Sequence, residues 1–388
     1  MNMFRGGCAL LLAVPTLACA QVSAEWNVRL RNEHVEDHAF LHDADATTLR
    51  LRLGAKFVWS DEWSALIEGE GIVAGGAHDD GANGRRTLPA IVDPEGAEWN
   101  QAWVAWKRGG KQATLGRQRV TFGNQRWVGN SGWRQNEQTF DALSLQWHVR
   151  DQLDVRYAWF DRVHRVAGDR AIDPLARERN LSTHAFWLQW ASGATWQWQA
   201  FALLHDDLDV RTASTATSGL RVSTTRKPQT TGPSIAAEYA LQRDYADNPL
   251  HFAHSYWRIE PAWTFAQATG RLGWEHLGGN GAHALQTPLA SLHAFNGWAD
   301  KFNATPPGGL DDRWLALEGA ARAGTLEWQV AWHRYDADIG GDYGSEWNAS
   351  LGFPVGKRVK GLVKYADYAA DGFAQDTTKL WFQLEWSR

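Results

Sequence analysis

The chain has 388 residues, of which 44% are hydrophobic and 21% are charged, and its formal net charge is −5. This length allows one large domain or two ordinary ones, and the acidic balance argues against nucleic-acid binding, which requires a basic surface. The 24 tryptophans, against 8 tyrosines, are typical of a protein that meets a membrane interface or a sugar.

Residues 1–20 have the pattern of a signal peptide. Arg5 precedes an apolar run, and Ala18-Cys19-Ala20 is a small-residue cleavage site. A buried N-terminal helix and a lipoprotein anchored at Cys19 are the less favoured alternatives. Both cysteines of the chain, Cys8 and Cys19, fall in this leader. Residues 21–388 are therefore expected to form one domain without disulfide bonds.

Alternation of apolar and polar residues recurs along the rest of the chain. Examples are Leu49–Leu53, Leu153–Trp159, Leu326–His333 and Leu380–Trp386. A period of two predicts strands with one apolar and one polar face. Because no run of about 18 apolar residues follows the leader, no transmembrane helix is expected.

The connections between these segments alternate in length. Short connections occur at Ser60-Asp61, Arg108–Gly110, Val149–Asp151, Ser192-Gly193, Ala323-Gly324 and Gly356-Lys357. Long polar connections lie near residues 33–46, 75–96, 122–138, 162–181, 205–216, 278–311 and 336–344. This sorting is typical of a transmembrane barrel with short periplasmic turns and long extracellular loops.

The predicted fold is therefore all-β, a single antiparallel transmembrane β-barrel of about 18 strands. The predicted strands are 25–32, 47–59, 62–74, 97–107, 111–121, 139–148, 151–161, 182–191, 194–204, 217–226, 232–242, 251–264, 268–277, 312–321, 325–335, 345–353, 358–368 and 378–387. The strand at 217–226 has the weakest pattern, but without it residues 278–311 would fall on the side of the short turns.

The polar strand faces are predicted to line an aqueous lumen. The principal candidates for solute contact on these faces are Arg50, Arg52, Arg156, Arg258, Arg271, Lys364, Glu68 and Glu70. Further candidates for the lumen are Arg29, Arg31, Lys360, Glu238, Glu260, Glu275, Glu318 and Glu327. Such arginines could attract an anionic solute, or they could only pair with the glutamates and hold the interior open.

Tryptophans cluster beside the short turns, where an aromatic girdle at the membrane interface is expected. The candidates for this girdle are Trp59, Trp63, Trp103, Trp106, Trp190 and Trp196.

One polar connection, within residues 116–141, is unusually rich in arginine, glutamine, glycine and tryptophan. Its arginines, Arg117, Arg119, Arg126 and Arg134, are candidates for solute contact at the barrel mouth. Its glutamines, Gln118, Gln125 and Gln135, are candidates for tying the connection to the wall. The alternative is that these arginines only pair with lumen glutamates.

Signals for catalysis or for a metal are weak. The stretches His34–His38 and His78–Asp80 contain metal-binding residue types, but neither has a second set of ligands. The chain has no nucleophile elbow and no phosphate-binding glycine loop. No enzymatic activity, no metal site and no cofactor are predicted.

Three stretches resemble the alginate export family of bacterial outer-membrane proteins. They are Gly116–Gln118 with Asn124–Asp141, Gln286–Phe302, and Leu362–Tyr368 with the final strand. The resemblance implies an outer-membrane barrel of about 18 strands that passes a solute through an electropositive pore. The best-known member of that family exports an anionic uronate polysaccharide.

The predicted function is a porin-like outer-membrane channel for anionic or sugar-like solutes, with alginate as one candidate. The alternatives are an outer-membrane barrel enzyme or surface-binding protein with an occluded lumen, and a soluble tryptophan-rich carbohydrate-binding β-protein. Expected partners are outer-membrane lipid, a small anionic or saccharide solute and the barrel-assembly machinery, but no nucleic acid. The sequence leaves open the solute and whether residues 122–138 or 278–311 plug the pore.

Overall fold

A computed structural model describes residues 21–225, 231–321 and 325–387. The predicted signal peptide at 1–20 and the predicted short connection Ala323-Gly324 lie outside these ranges. Among the described helices none is long and apolar enough to cross a membrane.

The described residues form 18 strands in one sheet. The strands are β1 (Gln21–Asp37), β2 (Ala44–Val58), β3 (Trp63–Ala77), β4 (Gly96–Arg108), β5 (Lys111–Gln118), β6 (Thr139–Arg150), β7 (Leu153–His164), β8 (Glu178–Ser192), β9 (Trp196–His205), β10 (Thr215–Thr224), β11 (Gly232–Asp244), β12 (Ala253–Thr264), β13 (Ala268–Leu277), β14 (Leu310–Ala321), β15 (Leu326–Asp336), β16 (Asp342–Pro354), β17 (Val359–Ala369) and β18 (Thr377–Ser387). The helical residues form single turns at Pro174–Arg177, Arg211–Ala213 and Leu292–Ala294.

The sheet closes on itself. Each strand pairs antiparallel with its neighbours in the chain, and β1 pairs with both β2 and β18. Arg29, for example, lies between Arg50 of β2 and Glu385 of β18. Closure leaves no edge with unpaired backbone groups, which is what a hydrocarbon environment requires. The predicted fold is confirmed, including the uncertain strand at 217–226, which is β10.

The two faces of the strands differ as the alternation predicts. On β2, Leu49, Leu51 and Leu53 are 42%, 41% and 57% exposed, whereas Arg50 and Arg52 are 1% and 7% exposed. The leucines therefore lie on the lipid side and the arginines in the lumen. The apolar outer surface and the buried polar interior are the arrangement of a membrane barrel rather than of a soluble sandwich.

Two predicted long connections are shorter than expected, because strands extend into both. β1 continues to Asp37 and β2 begins at Ala44, so the first connection is residues 38–43; β15 ends at Asp336 and β16 begins at Asp342, so the second is residues 337–341. These extensions stand beyond the apolar band, where polar residues occur on both faces. Val35 is buried while the neighbouring Glu36 is exposed. Successive side chains still point to opposite faces here, but the outward face is no longer apolar and the inward face is no longer polar.

The tryptophans near the short turns mostly face outward. Trp63 pairs in register with Trp106, and Trp190 stacks on Trp198 at 6.0 Å. Trp103 is the exception, because it lines a cavity in the lumen. A β-bulge opposite Glu68 and Gly69 inserts a residue into β4 and reverses which residues of that strand face outward.

A charge on the outer face should destabilise the barrel. Leu51 lies in the middle of β2, so Leu51→Arg is expected to cost about 2–4 kcal/mol of folding free energy in a bilayer. Denaturant titration in lipid vesicles measures this cost. Leu41→Arg is the control, because Leu41 is 95% exposed in the connection between β1 and β2. Equal effects of the two substitutions would contradict the assignment of the lipid face.

Candidate functional site in the barrel lumen

The connection between β5 and β6, residues 119–138, lies inside the barrel and is called loop A below. Its residue Gln135 is fully buried. The Gln135 backbone N–H donates to Asp93 at 2.7 Å, and its side-chain amide donates to the Thr48 hydroxyl at 2.8 Å. Loop A is therefore bound to the wall at β2 rather than standing above the membrane.

Arginines of the wall hold loop A by its backbone. Arg31 donates to the Trp133 carbonyl at 2.5 Å, and Arg50 and Arg52 donate to the Gln135 carbonyl at 3.1 and 3.2 Å. A loop in the lumen has carbonyl oxygens with no strand partner, and each needs a donor when it is buried. The guanidinium groups supply those donors.

The connection between β13 and β14, residues 278–309, also enters the lumen and is called loop B below. Glu346, which is fully buried, accepts from the backbone N–H groups of Trp298 and Ala299 at 2.5 and 2.9 Å. Asn296 donates to Glu275 at 2.7 Å and to Asp312 at 3.1 Å. Carboxylates of the wall thus hold loop B, as guanidinium groups hold loop A.

The two loops bind each other within the lumen. The Gly129 N–H donates to the Leu289 carbonyl, and the Ser131 N–H donates to Ser291 Oγ, both at 2.9 Å. A side chain at Gly129 would collide with Ser291 Oγ, so only glycine permits this approach. The two connections that were candidate plugs therefore both lie inside the barrel, and they contact each other there.

Aromatic packing seals part of the lumen beside loop A. Phe122 of loop A stacks on Trp187 of β8 at 5.1 Å, and Trp187 stacks on Phe201 of β9 at 4.5 Å. Trp127 of loop A is 1% exposed, and its indole N–H donates to Glu238 at 2.6 Å. This cluster is an apolar core inside the barrel, and it leaves less of the cross-section to solvent.

A buried polar network joins both loops to the opposite wall. Asp300 of loop B accepts from Arg134 of loop A at 2.9 Å and from Lys379 of β18 at 3.1 Å. His293 donates through Nδ1 to Asp300 and accepts through Nε2 from Lys364, at 2.8 and 2.6 Å. Lys364 Nζ also lies 4.1 Å and 3.8 Å from the ring centres of Trp133 and Trp298.

Burial and neighbouring charges shift the pKa values of Asp300 and His293 downward. Burial disfavours the charged form of Asp300, but the neighbouring His293 and Lys379 outweigh it and hold the pKa of Asp300 well below its usual range. Burial, only partly offset by Asp300, lowers the pKa of His293 to about 3. At neutral pH the pair is therefore an aspartate and a neutral imidazole.

The predicted glutamates of β3 are ion-paired with predicted arginines. Arg119 pairs with Glu68 at 2.7 Å and also with Glu137 of loop A. Arg52 pairs with Glu70 and, at 3.3 Å, with Glu137. Burial raises the pKa of Glu137, but the charges of Arg52 and Arg119 outweigh it, so that the net shift is downward. These ion pairs favour the alternative in which the arginines only pair with lumen glutamates and hold the interior open.

Three further predicted basic residues of the lumen are also ion-paired, and a fourth is not. Arg126 pairs with Glu275 at 3.0 Å, Arg258 with Glu260 at 2.7 Å, and Arg271 with Glu260 at 3.1 Å and Glu318 at 2.5 Å. Arg156 differs from them, since it forms no ion pair among the described residues.

Arg117 does not join the lumen cluster. In β5, Gln118 is buried on the inner face, whereas Leu115, two residues before Arg117, is 57% exposed on the outer face. Arg117 therefore faces outward, where it pairs with Asp141 at 2.9 Å. The expectation of Arg117 beside the solute path is wrong, because the alternation of the strand continues through it.

The three glutamines predicted to tie the loop have different partners. Gln118 donates to the Ala142 carbonyl at 2.9 Å, and Gln135 binds Thr48, so both contact the wall. Gln125 instead accepts from Ser291 of loop B at 2.8 Å.

Sequence reasoning assigned no role to Asp300, His293 or Glu346. Asp300 and His293 lie in a stretch that carries the family resemblance, which was the available signal. Their partners, however, come from β17, β18 and loop A, far away in the sequence.

Of the two stretches with metal-binding residue types, the first brings His34 and Glu36 together with Asp43, with one ligand atom of each within 4.8 Å of the others. His78 of the second is 3% exposed.

Three cavities follow one another along the barrel. The outer cavity, about 430 Å³, lies between loops A and B and reaches Lys364. The middle cavity, about 210 Å³, lies below loop B against β12–β16. The inner cavity, about 700 Å³, reaches the short turn between β12 and β13. The outer and middle cavities share Ala294 and Trp298, and the middle and inner cavities share Glu318 and Gln329.

Comparison with known families agrees with this architecture. The family model described as alginate export matches residues 21–245, more than half of the chain. The chain belongs to the alginate export family. Membership and the closed barrel together place it in the bacterial outer membrane. No curated protein sequence gives a significant match.

Solved structures share the fold of this alginate export family member at low sequence identity. OpdO of Pseudomonas aeruginosa is 12% identical with a TM-score of 0.74, and the alignment covers 95% of this chain and 97% of that one. OccAB2 of Acinetobacter baumannii is 13% identical with a TM-score of 0.71, covering 94% and 98%. OpdK of P. aeruginosa, solved with vanillate, is 14% identical with a TM-score of 0.69, covering 94% and 98%.

Breaking the pair between Arg134 and Asp300 should loosen both loops. Arg134→Gln leaves a buried carboxylate with fewer donors, which is expected to cost about 1–3 kcal/mol. Hydrogen–deuterium exchange should rise in residues 125–138 and 291–303. Arg117→Gln is the control, because Arg117 lies on the outer face and touches neither loop. Unchanged exchange in Arg134→Gln would mean that the pair does not anchor the loops.

Acid should loosen loop B through His293. A detached His293 has its ordinary pKa of 6.5, whereas the buried residue has a pKa of about 3. The detached state binds the proton more readily, so the stabilisation is full above 6.5 and is lost as pH falls toward 3. Exchange of residues 291–303 should therefore rise between pH values of about 7 and about 4. His293→Gln should remove this pH dependence; its persistence in that variant would assign the effect to another group.

Proposed function

We propose that this protein is a non-enzymatic outer-membrane channel for small, sugar-like solutes, inserted by the barrel-assembly machinery. The observation that supports the proposal is the series of outer, middle and inner cavities. Because neighbouring cavities share lining residues, they trace one route from the loop side to the short-turn side. The route follows β12–β17 and avoids the aromatic cluster around Trp187.

The size of the cavities favours small solutes. The middle cavity, at about 210 Å³, is smaller than the pockets of about 300 Å³ and more that hold drug-sized ligands. A solute must cross this volume between loop B and the wall. A chain of sugar units such as alginate would have to pass in extended form, one unit at a time.

The lining of the route suits hydroxyl-rich molecules. Trp298 and Trp314 present aromatic surface to the middle cavity, and Asn296, Asn348 and Gln329 present amide groups. Apolar faces with a small number of placed polar groups are typical of sites for small organic molecules. The proposed solute class is therefore uncharged or weakly charged saccharides.

The charges along the route argue against a strong preference for anions. Arg258 and Arg271 share Glu260 as a partner, and Arg271 also pairs with Glu318. A paired guanidinium contributes little net field to a passing ion. Arginine content alone would predict an electropositive pore, but these pairs support a lumen of mixed charge.

An occluded barrel is the second candidate function. Its support is the set of hydrogen bonds that join loop A to loop B and both loops to the wall. If those bonds never open and the middle cavity passes no solute, the protein would serve as a surface-binding barrel. Electrical conductance in planar bilayers separates the two candidates, since the purified barrel gives no ionic current in the occluded case.

Conductance should depend on the wall shared by the middle and inner cavities. Gln329→Trp narrows this junction and is expected to reduce single-channel conductance at least ~2-fold, because conduction depends on pore diameter. Gln112→Trp is the matched control, because Gln112 lies on the lumen wall outside the route. Equal reductions by both substitutions would contradict the proposed route.

A further inference from the structure

A fourth cavity lies on the opposite side of the lumen and is called the side cavity. It has a volume of about 230 Å³ and is bounded by β4–β7 and the start of loop A. It shares no lining residue with the outer, middle or inner cavity. The side cavity is therefore separate from the proposed route.

The side cavity holds a guanidinium group that forms no direct ion pair. Asp154, two residues earlier in β7, acts on its charge from outside the cavity lining, and the Asp154 carboxylate binds His148 at 2.8 Å. Arg156 of β7 forms no ion pair and no hydrogen bond with the rest of the described chain, and no aspartate or glutamate is among the residues that line the cavity. The Cζ atom of its guanidinium lies over the Phe122 ring, 4.6 Å from the ring centre. Stacking covers the face and leaves the N–H edge available for a ligand.

Polar side chains extend from Arg156 across three strands. Gln146 of β6 lies in register with Arg156, and Gln112 of β5 lies in register with Gln146. Thr114 and Ser144 form the next pair toward loop A. Laterally paired residues on one face are close enough to bind the same small molecule. The wall thus places amides and hydroxyls beside one free positive charge.

Loop A closes the side cavity toward the extracellular side. Val120 and Phe122 are 3% and 2% exposed, and both line the cavity. Above them Phe122 stacks on Trp187 within the aromatic cluster. Gln112, by contrast, lies directly beside the short turn at Gly109-Gly110. The aromatic cluster therefore covers the cavity on the loop side, and the other end of the cavity, at Gln112, lies near the short turns.

We propose that the side cavity binds a small hydroxylated monocarboxylate that enters from the periplasmic end of the barrel. The carboxylate accepts two parallel N–H bonds from the edge of Arg156, which is the geometry that guanidinium favours. The hydroxyl groups of the ligand bind Gln112, Gln146 and Ser144. The ligand is retained in the pocket and does not cross the membrane there.

The charge of the pocket favours a carboxylate over a phosphate. Arg156 is its one guanidinium without an acidic partner among the described residues, because Arg119 is already paired with Glu68 and Glu137. One free positive charge balances one negative charge. A phosphate dianion would bring a second charge into a partly desolvated pocket without a partner, which is unfavourable.

Binding of gluconate to the full barrel in detergent micelles tests the inference by calorimetry. Gluconate carries one carboxylate and several hydroxyls, and glucitol is the matched probe in which a hydroxymethyl group replaces the carboxylate. The wild-type protein is expected to bind gluconate about tenfold or more tightly than glucitol, as loss of a charged hydrogen-bonded pair predicts. Equal affinity for both probes would overturn the carboxylate assignment.

Substitutions locate the site. Arg156→Gln should weaken gluconate binding about tenfold or more, and Arg156→Lys, which keeps the charge but not the planar fork, should fall between that variant and the wild type. Arg271→Gln, in the proposed route, should bind gluconate as the wild type does. Undiminished binding by Arg156→Gln would overturn the inference, as would an equal loss in Arg271→Gln.

Gln112→Trp separates this inference from the proposed channel. Its indole fills the mouth of the side cavity, so gluconate binding should be lost while conductance is retained. A wild-type barrel that conducts but binds no gluconate would refute the side-cavity site alone. A barrel that binds gluconate through Arg156 but carries no current would refute the channel alone.

Discussion

The architecture of the lumen depends on the backbone of loop A. Residues 119–138 cross the interior of a closed barrel, where their carbonyl groups have no neighbouring strand to pair with. Unpaired buried carbonyls are costly, and the guanidinium groups of Arg31, Arg50 and Arg52 satisfy them. Once loop A is held against β1 and β2, its other side is presented to loop B. Loop B, which wall carboxylates also hold, binds this side of loop A, and the outer cavity lies between the two loops.

Because arginines are used in this way, the number of positive charges in the lumen does not predict the electric field that a solute meets. A guanidinium that donates to a loop carbonyl or shares a buried carboxylate contributes to the fold, and its charge is largely balanced nearby. Arg126 and Arg134 are of this kind, because each pairs with an acidic residue inside the barrel. Arg156 is the contrasting case, because it forms no ion pair among the described residues and the cavity beside it is lined by amides and hydroxyls but by no carboxylate.

The interior combines two kinds of core. One is aromatic, around Phe122, Trp127 and Trp187, and it excludes solvent from the sector beside β6–β9. The other is polar, around Asp300 and His293, and it joins loops and wall by hydrogen bonds. The aromatic core divides the side cavity from the route along β12–β17. The polar core lies beside that route, so that a change in its protonation bears on loop B.

The sequence by itself determined the barrel. Period-two alternation is a local property that predicts the strands and their two faces, and the sorting of short and long connections completes the count of 18. It failed at Trp103, where a bulge reverses the faces of β4, and at Arg117, which was expected beside the solute path although it follows the outward-facing Leu115 by two residues within β5.

Only the tertiary structure decided what the lumen residues do. Arg134 and Asp300 are 166 residues apart in the chain, and neither carries a local sign of the other. Whether an arginine is paired or free depends on such distant partners, and they are brought together only when the barrel closes and both loops fold into it.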